Sequence, residues 1–103
     1  MKEYNKIVRD KIPEIIANDN KKFDMHTVNN DEAIKFLNKK LNEEVSEFQS
    51  DNNIEELADI IEVVFSLAKK LGYSEEELMK TRNEKKEKRG AFDKNIVLDK
   101  VYE

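Results

Sequence analysis

Apolar residues recur at helical spacing through the middle of the chain. Ile34, Leu37, Leu41, Val45 and Phe48 follow one another at intervals of three, four, four and three. That rhythm marks one face of an α-helix, predicted from about Asp31 to Gln49. "QSDNN" then supplies turn-forming residues. A further helix is predicted from about Ile54 to Leu71, with a main stripe of Leu57, Ile61, Val64 and Ala68. Its other side carries Ile60, Val63 and Leu67, so it is apolar beyond the first turn on two sides, and both should be packed. Gly72 fits the position just past a helix end. The last helix has the clearest start: Ser74 as cap, Glu77 completing a capping box, and Tyr73 with Leu78 as a hydrophobic staple. It should end at Gly90.

The flanks have weaker patterns. "DKIPEIIANDN" reads as a short helix with Pro13 in its first turn. "KKFDMHTVNN" reads as an extended connector with a brief strand at Phe23 to Val28. "MKEYNKIV" is an arm without helical periodicity, and the tail "NIVLDKVYE" is β-branched and glycine-free, a strand or an extended arm. The expectation is an all-α bundle of about four helices with short extended termini, forming one domain over residues 1–103.

Composition narrows the function. The 103 residues are 38% hydrophobic and 41% charged, a small supply of apolar surface that pairing with a second copy would help to complete. A net charge of −4 argues against a general nucleic-acid binder, whose footprint would be basic. With no cysteine there is neither a disulfide framework nor a thiolate zinc site. No apolar run reaches membrane length and the opening has no signal-peptide core, so a cytoplasmic protein without a membrane partner is expected.

Two acidic motifs stand beside these stripes, "EEVSE" at residues 43–47 and "ELAD" at residues 56–59. At about 100° per residue, Glu44 borders its stripe and Glu47 lies further round, with Glu43 near Glu47 in projection. Glu56 and Asp59 fall on the side of Ile60, Val63 and Leu67, pointing into a packed layer. Carboxylates in such a layer are unfavourable without a positive partner. Glutamate-rich helices are commonly just solvated faces, but "ELAD" within an apolar helix is not the pattern of one. Two pairs at i, i+3 spacing suit a hard cation that takes oxygen ligands, magnesium or manganese in its place. A di-iron bundle would need Glu-x-x-His pairs. The only histidine, His26, lies in the connector and reads as an ordinary loop residue.

A basic set accompanies the acidic one. Arg82, Lys85, Lys86 and Arg89 fall within about 100° of one another on the last helix. Lys6, Arg9 and Lys11 of the opening segment are placed to reach the same phosphates. A solvated charged face is the plain alternative. Carboxylates for a metal together with clustered cations are the apparatus for binding and splitting a polyphosphate. No glycine-rich phosphate loop is present.

"EEVSE" followed by "ELAD" resembles the EExxE…ExxD signature of the all-α nucleoside triphosphate pyrophosphohydrolases, the group of MazG, the dimeric dUTPases and phosphoribosyl-ATP pyrophosphohydrolase. "YNKIVRDKIPEII" and "KRGAFDKNIVL" resemble a small bacterial and phage branch called phosphoribosyl-ATP pyrophosphohydrolase-like. The resemblance implies a dimeric or tetrameric helical bundle that cleaves a nucleotide between its α- and β-phosphates. It implies Glu44, Glu47, Glu56 and Asp59 as magnesium ligands, and Glu43 as a support for them or a ligand of a second metal. It also implies Lys86 and Arg89 as phosphate contacts. Glu47 is the candidate to take the water's proton. Two other readings stand beside this one: phosphoribosyl-ATP as the substrate, and a helical interaction module that binds nucleotides without turning them over.

Overall fold

The computed structural model describes residues 1–103, which form four α-helices and no strand. These are α1 (Ile12–Asn18), α2 (Asn30–Asp51), α3 (Ile54–Lys70) and α4 (Glu75–Arg89). The all-α class holds, as do the extended termini. No strand forms at Phe23 to Val28, because no second strand lies beside the connector to complete a ladder. The tail is likewise extended and exposed.

Each helix boundary has a local cause. Asn29 caps α2, its side-chain oxygen accepting from the Glu32 N–H at 2.9 Å, and Asp31 and Glu32 suit the positive end of the helix. α2 runs on through Ser50 and Asp51, past its expected end at Gln49. The stop is Asn52, in the left-handed region at φ 50°, whose N–H donates to the Phe48 carbonyl at 2.7 Å. Asn53 then caps α3 by accepting from the Glu56 N–H at 3.0 Å. Two consecutive asparagines thus reverse the chain and fold α3 back along α2.

α3 ends in a Schellman motif. Gly72, at φ 94°, donates to the Lys69 carbonyl and Tyr73 to that of Ala68. Ser74 caps α4 by accepting from the Glu77 N–H at 3.0 Å. The Glu77 carboxylate turns to the Ser74 hydroxyl at 3.3 Å instead of the Ser74 backbone N–H, so only half of the expected capping box forms. Tyr73 of the expected staple is exposed.

The core is the seam between α2 and α3. α4 touches only α3, and α1 packs on no other helix. Ala33, Leu37, Val63 and Ala68 are the buried apolar residues, and Glu44 is the one buried charged residue. The side of α3 that packs on α2 is the one bearing Glu56, Asp59 and Val63. Leu57 and Ile61 of the expected main stripe remain 42% and 52% exposed. The molecule is elongated, 63 × 32 × 23 Å, with a radius of gyration of 18.1 Å. A compact chain of this length would have about 13 Å. No helix is long and apolar enough to cross a membrane.

Candidate metal centre

Heptad spacing explains why carboxylates enter the seam. Glu44 lies seven residues after Leu37, and Glu56 seven before Val63, so each shares a face with a buried apolar residue. The α2–α3 turn brings the two faces together. Glu44, Glu56 and Asp59 each offer a carboxylate oxygen within 4.8 Å of the others, and Glu43, Glu44 and Glu47 form a second such group. Glu44 belongs to both and is 6% exposed. Glu43, Glu56 and Asp59 are half-buried, and Glu47 is exposed at the rim.

Three cations stand against these carboxylates. The Lys40 Nζ lies 3.3 Å from Glu44 Oε1 and 4.0 Å from Glu43 Oε1. The Lys6 Nζ donates to Glu43 Oε1 at 3.0 Å, and the Arg9 Nη2 to Asp59 Oδ1 at 2.7 Å. Compensation is incomplete: Glu44 Oε2 and Glu56 Oε2 are shut off from solvent with no hydrogen-bond partner. For Glu44, an unsatisfied buried acceptor is worth about 1–3 kcal/mol of destabilisation.

The proton affinities follow. Burial pushes the Glu44 carboxyl up, Lys40 only partly opposing it, with Glu47 and Asp59 adding to the rise. Burial also raises Glu56, and the neighbouring Glu47 and Asp59 act in the same direction. Glu43 is shifted down by its hydrogen bond from Lys6, which is itself shifted up by Glu43. A hard divalent cation fits this donor set. Its ligands would all be carboxylate oxygens, two of them buried and unpartnered. Magnesium, calcium and manganese all take such oxygen ligands.

Of the expected ligands, Glu44, Glu56 and Asp59 meet directly, and Glu47 joins through the group it forms with Glu43 and Glu44. Lys6 and Arg9 reach the site by pairing with its carboxylates. Lys11 is exposed at the start of α1 and makes no ion pair. Arg82, Lys85, Lys86 and Arg89 are exposed on α4, and none pairs with the acidic cluster. Arg82 donates instead to its neighbour Asn83 at 2.9 Å. α4 has too few apolar residues to be drawn along the hairpin, so one chain does not set its basic face against the acidic one. Lys40 is the residue that sequence reasoning missed, although its i, i+4 spacing to Glu44 is a readable signal. A pocket of about 180 Å³ opens beside Glu43, between the amino-terminal arm and α2, lined by Lys6, Phe36, Lys39 and Lys40.

No protein-family model matches the chain, and no curated protein or solved structure matches it either. The likeness to the pyrophosphohydrolases rests on the sequence motifs alone.

Proposed function

We propose that the protein is a metal-dependent nucleotide pyrophosphohydrolase, cleaving a nucleoside triphosphate to a nucleoside monophosphate and pyrophosphate. The observation that carries the reading is the seam itself. Carboxylates at i, i+3 spacing from two helices converge there, with Glu44 Oε2 and Glu56 Oε2 buried and unpartnered. Such an arrangement destabilises the fold and makes chemical sense as half of a cation site. Glu44, Glu56 and Asp59 would hold magnesium, with Glu47 completing the set from the rim. Magnesium held there supplies Lewis acidity toward the phosphates and a more acidic water. Glu47, which is exposed, is the candidate to accept that water's proton. Glu43, anchored by Lys6 and Lys40, supports the cluster. Lys6, Lys39 and Lys40 in the adjoining pocket offer positive charge, which suits phosphates. Assembly as a homodimer or homotetramer belongs to the same reading, since a second copy could supply the α4 cations that one chain keeps apart from the site.

Chromatography of the products made from a panel of nucleotides with magnesium tests the reaction. Pyrophosphate with a monophosphate is expected. Orthophosphate with a diphosphate would mean a γ-phosphatase, and no turnover of any nucleotide would leave a binding module.

A further inference from the structure

The amino-terminal arm is tied to both helices of the seam by its own cations. Lys6 reaches Glu43 on α2, and Arg9, three residues on, reaches Asp59 on α3. These ties are exposed, with side-chain accessibilities of 46% and 56% on the cation side. No backbone hydrogen bond joins residues 1–8 to any helix, and α1, which follows, packs on none. Charge therefore holds the arm over the acidic cluster, with little apolar burial to assist. Ile7 is its only half-buried residue.

We propose that Lys6 and Arg9 form a releasable cation latch, competing with the divalent metal for the seam carboxylates and passing to the nucleotide's phosphates when the metal binds. The proposal rests on the metal-centre reading above. A dication at Glu44, Glu56 and Asp59 brings two positive charges against the Arg9 guanidinium, and repulsion between them weakens the Arg9–Asp59 pair. Phosphate oxygens offer Arg9 and Lys6 replacement acceptors of higher charge. Linkage then runs both ways: phosphates that draw the arm off tighten the metal, and the metal frees the arm for phosphates.

Titration of the full chain with Mn²⁺, reading free ion by electron paramagnetic resonance, tests the competition without turnover. Arg9→Gln and Lys6→Gln are each expected to bind Mn²⁺ about two- to fivefold more tightly than wild type, the range of an exposed ion pair lost by the competitor. Lys21→Gln removes the same charge from a pair with Asp19 outside the site and controls for bulk electrostatics. Arg9→Gln should also raise KM for a nucleoside triphosphate, a change opposite in sense to its tighter metal binding. Equal or weaker Mn²⁺ binding by Arg9→Gln overturns the latch and leaves the metal centre standing. Equal tightening by Lys21→Gln also overturns it, as does an unchanged KM. Failure of wild type to bind Mn²⁺ at all overturns the latch and the metal centre together.

Discussion

Glu44 occupies a seam position in register with Leu37, so its carboxylate leaves water with one oxygen on Lys40 and the other unpartnered. Removing its charge while keeping its shape should therefore separate stability from function. Glu44→Gln and Glu56→Gln are expected to melt, without metal, at or above the wild-type temperature. Each should lose most pyrophosphate release and shrink the magnesium-induced rise in Tm. In wild type that rise reflects about 2.7 kcal/mol at a hundredfold excess of magnesium over Kd. Asp59→Asn also loses the exposed Arg9 pair, worth about 0.2–1 kcal/mol, as Glu44→Gln loses the Lys40 pair, whereas Glu56→Gln loses none. Thermal melts with and without magnesium, beside one activity assay, check all three.

The pH dependence has a definite sign. Glu44 and Glu56 have folded-state proton affinities raised above the ordinary 4.5, so their ionisation opposes folding. That penalty is absent below the unfolded value and complete above the raised folded ones. Glu43 acts in the opposite sense. Its folded value is lowered, and the stability it contributes is lost as pH falls through that value. Metal-free stability of wild type should fall as pH rises above the ordinary carboxylate value, and Glu44→Gln should flatten the slope. A slope unchanged by the substitution would remove Glu44 from the account.

At the scale of the element, the α2–α3 turn decides the site. Asn52 in the left-handed region and Asn53 as the following cap leave no slack between the helices. Insertion of one alanine within α3, between Asp59 and Ile60, would turn Glu56 and Asp59 by about 100° relative to the Val63 face that packs on α2, withdrawing them from Glu44. Circular dichroism should then report nearly unchanged helix content while the magnesium shift in Tm disappears. Retention of the full shift would mean that metal binding needs only α2. Asn52→Gly, in contrast, should be neutral or stabilising by up to about 1 kcal/mol, because glycine takes this conformation without strain.

For the whole molecule, apolar surface is in excess. Leu57 and Ile61 on α3, and Ile96, Val97 and Leu98 on the tail, are exposed, while four hydrophobic residues are buried. Fully burying a leucine or isoleucine is worth about 1.5–3 kcal/mol, so covering the open α3 face would stabilise the fold substantially. A dimer or tetramer with α3 in or near the interface is the expected state. Light scattering at micromolar concentration checks it, and a wild-type monomer refutes it. Leu57→Glu with Ile61→Glu should dissociate the assembly and lower Tm.

Helix number and position were legible in the sequence because they depend on local signals. Examples are the stripe from Ile34 to Phe48, the Ser74 cap and the glycines at 72 and 90. So was the pairing of carboxylates on each helix, since i, i+3 spacing is a property of a single element. The brief strand at Phe23 to Val28 failed because a strand needs a partner, which no local pattern supplies. Which face of α3 meets α2 also lay beyond the sequence. Both faces are apolar, and only the short asparagine turn with the packing of Val63 selects the side carrying Glu56 and Asp59. The same tertiary choice leaves Leu57 and Ile61 open, brings Lys40, Lys6 and Arg9 to the carboxylates, and keeps the α4 cations apart from them. Periodicity is decided within one helix, whereas charge pairing depends on the register between helices, which the tertiary structure alone sets.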